Sequence, residues 1–393
     1  MYQRHEYLVI KSRLEEPRKF IQVVTGPRQV GKTTVVKQVL QELNAPYQFF
    51  SADTVPETDG AWVSECWAVV RNLKESKGWD CMLLVIDEIQ KVPNWWEVVK
   101  KEWEDDTFHN RNIKVLVVGN GRVLPEKDFS ESPGECFEEI RMTHWNYLEM
   151  RDNFGFNLDQ YLFYGGYPGA ASIVCDETWY QQYIRSTVVE ATIANDVPTD
   201  GPLCNPAQLR QTFELGATCS GQLLSPAKIQ GALQDASMTT LAGYIQLLDA
   251  AGMLSGVQKY SISPTSGKSG IPKFQVYNNA LKMIYSPCTF EQTIRDRKVW
   301  CHFLESGIGA YIICQAFVHR FEVFYWRERN EEVDFVLRKK GTVVAIVVKS
   351  DATKATTGLE TFKRIFNPQT MLIIGDGGIS AKEFLSMDME KLF

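Results

Sequence analysis

A single nine-residue segment constrains the fold of this chain more than any other feature of its sequence. The segment GPRQVGKTT lies between a short β-branched run at 20–25 and a stretch at 33–43 with the composition of a helix. It matches the pattern GxxxxGK[ST], in which backbone N–H groups turn inward around phosphate oxygens and the next helix directs its positive end at the same anion. The order strand, loop, helix therefore predicts a phosphate-binding loop made of Gly26, Pro27, Arg28, Gln29, Val30, Gly31, Lys32, Thr33 and Thr34.

Two side chains of this loop have the chemistry that a nucleoside triphosphate requires. The ammonium group of Lys32 is expected to contact the β- and γ-phosphates, and the Thr33 hydroxyl is expected to ligate Mg²⁺. An acidic partner follows the apolar strand predicted at 81–86, which runs directly into Asp87 and Glu88. Asp87 is predicted to hold the metal ion directly or through water, and Glu88 to orient and deprotonate the attacking water.

A third apolar strand is predicted at 113–118, and it ends at Gly119-Asn120. A polar side chain at the end of the strand beside the acidic one can sense the γ-phosphate or help to place the water. Asn120 is therefore a candidate catalytic residue. The alternative interpretation is a strand-end turn, since Asn-Gly is a strong turn dipeptide.

The composition places these motifs in a globular chain with several domains. The chain has 393 residues, of which 44% are hydrophobic, and one domain per ~150 residues predicts two or three domains. The longest apolar run, at 308–318, is shorter than the ~20 residues that span a membrane, and the N-terminus lacks the apolar stretch of a signal peptide. Both features predict a cytoplasmic location. The cysteines are scattered and form no CxxC pair, so reduced thiols are expected.

These motifs resemble a large group of bacterial and archaeal AAA-type P-loop ATPases that are fused to a C-terminal domain of unknown function. The resemblance implies that the chain binds ATP and hydrolyses it to ADP with Mg²⁺. Two positions depart from the family, because Asn120 stands where members usually carry serine and Cys136 stands where they usually carry an arginine. If that arginine serves the nucleotide or a subunit interface, the chain is expected to be weakened there. The segments that carry the resemblance are GPRQVGKTT, VIDEIQKVPNWWEVVKKEWED, FYGGYPGAA at 163–171, the stretch at 214–254 and VFYWRERNEEVDFVL at 323–337.

The segment at 151–285 is predicted to be helical, with a winged-helix pattern in its second half. The helix predicted at 239–251 presents few groups that read base edges, whereas three lysines around the following hairpin could contact phosphate. The net charge of −6 gives nucleic-acid binding no support from composition. DNA binding and a protein-contact or interdomain role both remain open. Helices are predicted at 179–194, 206–217, 225–233 and 239–251, β-runs at 253–260 and 272–277, a loop at 261–270, and the lysines are Lys259, Lys268 and Lys273.

The segment at 286–393 resembles the PD-(D/E)XK nuclease core, a small α/β fold of the restriction-endonuclease type. Asp334 lies on a predicted strand at 332–337, and Lys349 follows another at 342–348. The position two residues before this lysine should be acidic, but Val347 has no oxygen to offer a metal ion. Glu305, on a predicted helix at 300–313, supplies one more carboxylate. The sequence therefore predicts an inactive structural or nucleic-acid-holding domain.

Together these interpretations predict an α/β chain with three parts. A P-loop ATPase domain with a parallel sheet is predicted at 1–150, a helical and winged-helix region at 151–285, and a restriction-endonuclease-like domain at 286–393. The predicted function is Mg²⁺-dependent ATP binding and hydrolysis, with catalytic roles for Lys32, Glu88 and Asn120, in which the nucleotide state drives a conformational or assembly change. The alternative, favoured by the missing arginine, is a nucleotide-gated DNA- or protein-binding module with little hydrolysis. DNA and a second copy of the chain are the candidate macromolecular partners, and no membrane is expected.

Overall fold

The structure is a computed structural model and divides the chain into two units, Met1–Met142 and Thr143–Phe393. The boundary predicted at 150/151 falls inside a helix of the second unit, Tyr147–Phe154. The boundary predicted at 285/286 does not separate two units. The residues that the structure describes are 2–54, 60–121, 136–197, 205–224, 229, 231, 237–261, 272–349 and 357–393.

The first unit is built on a five-stranded parallel sheet with the spatial order β2-β3-β4-β1-β5. Its strands are β1 (Ile21–Thr25), β2 (Tyr47–Ser51), β3 (Met82–Asp87), β4 (Ile113–Val118) and β5 (Phe137–Arg141). The central strands β1, β3 and β4 are almost wholly buried, as expected for parallel strands that helices cover on both faces. Because β3, β4 and β1 are adjacent and parallel, the carboxyl ends of these three strands lie side by side at one edge of the sheet.

Helices cover both faces of this sheet. They are α1 (His5–Glu15), α2 (Lys32–Glu42), α3 (Gly60–Lys77) and α4 (Trp95–Phe108), with 3-10 turns at Ala52–Thr54 and Ile89–Lys91. One apolar cluster holds Ile10 of α1 and Val36 of α2, and the other holds Trp67 of α3 and Trp95 of α4. The predicted strands around the loop and the acidic residues, and the helix after the loop, are confirmed to within one residue at each end.

The second unit combines many helices with a six-stranded sheet. Its helices are α5 (Tyr147–Phe154), α6 (Leu158–Tyr164), α7 (Glu177–Tyr183), α8 (Ala191–Asn195), α9 (Pro206–Thr218), α10 (Met238–Ala250), α11 (Ala280–Met283), α12 (Phe290–Arg295), α13 (Arg297–His319), α14 (Thr357–Phe366) and α15 (Ala381–Phe384). Its strands are β6 (Leu254–Lys259), β7 (Lys273–Val276), β8 (Glu322–Glu328), β9 (Glu331–Lys339), β10 (Thr342–Lys349) and β11 (Thr370–Gly375). Short 3-10 turns lie at Pro168–Ile173 and Met389–Leu392.

One sheet joins the two segments that the sequence assigns to separate domains. Its order is β11-β10-β9-β8-β6-β7, and β6 pairs in parallel with β8 at Gln258–Phe324 and Lys259–Tyr325. One apolar cluster also takes residues from both segments. Strand pairing and core packing therefore both cross the predicted boundary at 285/286, and the segments 151–285 and 286–393 fold as parts of one unit.

The elements predicted around the hairpin are present where the structure describes them, because α9, α10 and the antiparallel pair β6–β7 match the predicted ranges closely. The helix predicted at 225–233 and the loop at 261–270 lie largely outside the described residues. The helix predicted at 179–194 contains a π-helical segment, Ile184–Glu190, between α7 and α8. The wider hydrogen-bond spacing of a π-helix shifts the buried face, so that Val189 joins Ile184 and Val188 in the core.

Helix α13 is the one helix in the described part of the chain with the length and apolar composition of a membrane span. The sequence argument considered only the run at 308–318, whereas the helix has 23 residues. Most of α13 is buried inside the second unit, with Ile308 and Ile312 fully enclosed. A buried core helix satisfies the same criteria, so this helix is weak evidence for a membrane.

Candidate functional site

The predicted phosphate loop, residues 26–34, leaves the carboxyl end of β1 and passes into the first turn of α2. Gly26 has a φ of +152°, and a Cβ atom at this position would lie 2.3 Å from the carbonyl oxygen of Met142. Gly31 has a φ of +94°, a conformation that side-chain-bearing residues rarely adopt. The path of the loop from strand to helix therefore requires glycine at both positions.

Lys32 and Thr33 begin helix α2 and lie beside the loop and the acidic strand end. The Lys32 side chain is 5% exposed, and its Nζ donates to the carbonyl oxygens of Gly26 at 3.0 Å and Pro27 at 2.7 Å. The Thr33 hydroxyl donates to Oδ2 of Asp87 at 2.9 Å. The two residues predicted to hold a metal ion are therefore direct neighbours, because β1 and β3 end at the same edge.

Glu88, Gln90 and Asn120 form a closed ring of hydrogen bonds. Oε2 of Glu88 accepts from Nε2 of Gln90 at 2.6 Å and from Nδ2 of Asn120 at 3.0 Å. The Gln90 Oε1 in turn accepts the backbone N–H of Asn120 at 3.1 Å. The side chain of Asn120 thus contacts the predicted general base, which a simple strand-end turn does not require.

Burial raises the pKa of both acidic residues at this site. For Asp87, desolvation is the largest influence on the pKa, and the hydrogen bonds from Thr33 and from the backbone of Glu88 oppose it. For Glu88, desolvation again raises the pKa, and the hydrogen bond from Gln90 opposes it. A carboxylate with a raised pKa is a stronger proton acceptor, which suits Glu88 to general-base chemistry.

Three further side chains at this edge act on Glu88. The sequence analysis gave Asp53 and Gln90 no role and placed Arg28 in the phosphate loop only. Asp53, in the turn after β2, raises the pKa of Glu88 through its negative charge and forms an ion pair with Lys91. Arg28 of the phosphate loop lowers the pKa of Glu88, and Gln90 holds its carboxylate. The signal for Asp53 was an acid two residues after a strand, but β2 is a half-buried strand at the edge of the sheet and was not recognised.

The oxygen atoms at this site fit a magnesium ion. Mg²⁺ in phosphate-binding sites is typically held by one or two protein oxygens together with phosphate oxygens and water. Thr33 and Asp87 supply a hydroxyl and a carboxylate that lie side by side. Within the described residues, no group of three or more His, Cys, Asp and Glu side chains could hold a metal ion by itself. A metal ion at Thr33 and Asp87 would therefore complete its ligand shell with phosphate and water.

Cys136, the position of the family arginine, lies at the opposite edge of the sheet from the phosphate loop. Its carbonyl oxygen accepts the N–H of Ile21 at the start of β1, whereas the loop follows the end of this strand at Thr25. Five residues of extended chain separate the two edges by about 16 Å. A side chain at this position therefore does not bear on nucleotide held by the loop of the same chain.

The acidic residues predicted in the second unit also lie together, but a lysine lies among them. Lys273, which the sequence analysis offered as a phosphate contact, is fully buried and forms ion pairs with Glu305 and Asp334. This expectation is wrong, because a buried and paired ammonium group cannot reach a DNA backbone. Val347 is buried in an apolar cluster with Ala345 and Phe362, and the half-buried Lys349 ends β10.

Three families match consecutive parts of the chain. Residues 18–151 match the family described as AAA domain. Residues 155–286 match a domain of unknown function, DUF8612, and residues 302–382 match another, DUF4143. The chain matches no curated protein.

Two solved structures are similar to this chain at low sequence identity. The Walker-type ATPase PABY2304 of Pyrococcus abyssi is 12% identical, over 72% of this chain and 96% of that one, with a TM-score of 0.47. The Holliday junction branch migration motor RuvB of Thermotoga maritima is 13% identical, over 64% of this chain and 86% of that one, with a TM-score of 0.33.

The parallel sheet and the phosphate loop show that the first part of the chain is a P-loop domain, and its residues 18–151 match the family described as AAA domain. This result confirms the resemblance drawn from the loop and the acidic strand. The match at 302–382 also confirms that a domain of unknown function follows the ATPase domain.

Proposed function

We propose that this protein binds ATP together with Mg²⁺ and hydrolyses it to ADP and phosphate. The observation that carries the proposal is the convergence of the predicted residues at one edge of the first sheet. Thr33 contacts Asp87 at 2.9 Å, and Asn120 contacts Glu88 at 3.0 Å, beside the loop that contains Lys32. The test is steady-state phosphate release by the purified protein with ATP and Mg²⁺. Tight ATP binding without turnover would favour the alternative of a nucleotide-gated binding module.

Each residue has a separate role in this proposal. The Lys32 ammonium and the N–H groups of the loop bind the β- and γ-phosphates. Thr33 and Asp87 hold Mg²⁺, which supplies positive charge to the phosphate oxygens when it is bound. Glu88 accepts a proton from the attacking water, and Asn120 keeps its carboxylate in place.

We further propose that the nucleotide state drives a conformational or assembly change. The sequence argument for the alternative was the missing arginine, which would act from a neighbouring subunit. The position of Cys136 at the far edge argues only against a role of this residue at the nucleotide site of its own chain. Arg28 also supplies a guanidinium group of the same chain whose charge acts on Glu88. Size-exclusion chromatography with ATP and with ADP tests whether assembly follows the nucleotide, and an unchanged elution volume leaves only a conformational output.

For the winged-helix segment we propose a protein contact and not DNA reading. Tyr244 of α10 is buried, and its hydroxyl donates to Gln208 of α9 at 3.1 Å, so it is withdrawn from any base edge. Lys273 is buried and cannot contact a DNA phosphate, whereas the side chain of Lys259 is exposed to solvent. Electrophoretic mobility of a DNA duplex and phosphate release with and without DNA test this proposal, and tight DNA binding that Lys259→Ala weakens would contradict it.

Replacement of Gln90 by methionine is expected to lower kcat by roughly 10-fold with little change in KM. Methionine has a similar length but cannot donate to Glu88 or accept from Asn120. The carboxylate of Glu88 therefore loses one of the two hydrogen bonds from Gln90 and Asn120 that position it. A displaced catalytic group lowers the reaction rate. The matched control is Gln41→Met, at an exposed position of α2. A raised KM with unchanged kcat would instead show that Gln90 supports nucleotide binding.

The unmodified protein is expected to leave plasmid DNA uncut in Mg²⁺ or Mn²⁺. Val347 is 1% exposed in an apolar cluster, so no oxygen reaches the place where a nuclease of this type has a glutamate. An agarose gel of supercoiled plasmid after incubation checks this expectation. Metal-dependent cleavage that Asp334→Ala abolishes would contradict it.

A further inference from the structure

The second unit contains a fully buried lysine surrounded by three carboxylates. Lys273, the first residue of β7, is 0% exposed. Its Nζ lies 2.8 Å from Oε1 of Glu305, 3.6 Å from Oε1 of Glu332 and 3.8 Å from Oδ1 of Asp334. It also lies 5.0 Å from the centre of the Phe335 ring, which adds an aromatic face to the carboxylates. Lys273 on β7 thus contacts residues of two other elements, Glu305 on α13 and the three residues on β9.

The charges at this cluster require the lysine to stay protonated. An isolated ammonium group is very unfavourable in a protein interior unless it is paired. Burial by itself lowers the pKa of Lys273, but the charges of Glu305, Asp334 and Glu332 outweigh this effect and raise the pKa well above the ordinary value for lysine. The three carboxylates repel one another, and Lys273 is the cation that contacts all of them, while Arg327 also pairs with Glu332 at 3.9 Å.

The cluster lies where the backbone pairing between β9 and β10 ends. The pairing of β9 with β10 ends at Phe335–Ile346, and beyond it Oδ2 of Asp334 accepts the N–H of Val348 at 2.7 Å. One carboxylate oxygen of Asp334 is thereby used on the backbone, and the other faces Lys273. A divalent metal ion that bound Asp334 and Glu305 would have to share this space with the ammonium group.

A divalent metal ion does not fit this site as the chain is built. Mg²⁺ needs oxygen atoms at about 2.0–2.1 Å in an octahedral shell. The nearest carboxylate oxygen is already 2.8 Å from the lysine nitrogen, which carries a positive charge of its own. Val347 supplies no further ligand.

We propose that the ammonium group of Lys273 takes the place of a divalent cation in this carboxylate cluster, and that it holds the β6–β7 hairpin to α13 and β9. The site takes its cation from its own chain, and it accepts Mn²⁺ or Mg²⁺ only when the lysine is removed. This inference goes beyond the ATPase proposal and does not rest on it, because none of its tests involves nucleotide.

The first test measures Mn²⁺ binding by the full chain without nucleotide, with electron paramagnetic resonance to count free Mn²⁺. Lys273→Met keeps the length of the side chain but removes its charge. We expect the variant to bind Mn²⁺ at least ~10-fold more tightly than the wild type, which corresponds to about 1.4 kcal/mol of binding free energy. The gain should disappear in Lys273→Met/Glu305→Gln, which lacks one of the freed carboxylates.

A matched control is available in the second buried lysine of this unit. Lys282 is also buried, but its Nζ donates to the carbonyl oxygens of Thr218 at 3.2 Å and Ser220 at 3.1 Å. Lys282→Met is therefore expected to create no Mn²⁺ site. An equal gain in this variant would overturn the proposal, because the gain would then follow from loss of any buried lysine.

The second test measures thermal unfolding of the same variants. Lys273→Met removes the cation that contacts all three carboxylates, although Glu332 keeps its ion pair with Arg327 at 3.9 Å. We expect the melting temperature of the second unit to fall by about 10 °C. Glu305→Gln in the same chain should recover part of this loss, because it removes one of the unpaired charges. A lysine that only fills space predicts a small loss and no recovery.

The measurement on the wild-type protein tests the proposal even if variants without Lys273 do not fold. We expect no Mn²⁺ binding by wild-type protein beyond that of Asp334→Asn. Wild-type binding that Asp334→Asn or Glu305→Gln weakens would overturn the proposal, because it would show that a metal ion reaches the carboxylates in the presence of Lys273.

Discussion

Replacement of Lys32 by alanine is expected to raise the dissociation constant for ATP by at least ~10²-fold. Hydrogen bonds from a charged group contribute roughly 1.5–3 kcal/mol each, and this ammonium group is expected to contact two phosphates. Lys32 also donates to the carbonyl oxygens of Gly26 and Pro27, so alanine removes bonds that hold the loop itself. Isothermal titration calorimetry with ATP and Mg²⁺ measures the change directly.

The control for this variant is Lys37→Ala, which removes the same charge from an exposed position on the same helix. It should bind ATP as the wild type does, and circular dichroism should show that both variants are folded. If Lys32→Ala bound ATP with wild-type affinity, the assignment of residues 26–34 as the phosphate loop would be wrong.

Glu88→Gln is expected to keep ATP and Mg²⁺ binding and to slow hydrolysis by at least ~10²-fold, which is typical for loss of a general base. Glutamine has the same shape, and its carbonyl oxygen can still accept from Gln90 and Asn120, so the ring of hydrogen bonds is retained. The amide cannot accept a proton from water, and only the chemical step is affected. Single-turnover phosphate release together with ATP calorimetry separates the two effects.

Glu97→Gln, at an exposed position on α4, is the matched control and should hydrolyse ATP at the wild-type rate. Unchanged turnover in Glu88→Gln would assign the base to another residue. Loss of ATP binding would show instead that the Glu88 charge maintains the site, for which the nearby charges of Asp53 and Arg28 are the first residues to examine.

Features that depend only on residues close together along the chain could be predicted from the sequence. The buried β-branched run at 21–25, the glycines of the loop and the helix after it are specified by local composition and backbone preference. The apolar run into Asp87 and Glu88 likewise predicts a buried strand with acids at its end. Strand β2 has the same length as β1 but was not recognised, because it lies at the edge of the sheet and carries no continuous apolar run.

The order of strands decided which of these side chains meet. β4 lies between β1 and β3, so Asn120 reaches Glu88, and the same topology places Cys136 at the opposite edge from the loop. The sequence analysis assumed that the strand before Asn120 lies beside the acidic strand, and the strand order shows that it does. The position of Cys136 relative to the loop could not be obtained from spacing along the chain. The resemblance located an arginine position without showing which edge of the sheet it occupies.

The two units together separate what the sequence by itself determined from what only the tertiary structure decided. The sequence determined the phosphate loop and the acidic strand end in the first unit, and the absence of a carboxylate at Val347 in the second. Only the tertiary structure decided that the β6–β7 hairpin joins the C-terminal sheet and that Lys273 lies among Glu305, Glu332 and Asp334. The physical reason is that a lysine in a sequence is read as a solvated charge, and its burial becomes favourable only when separate elements bring carboxylates to it.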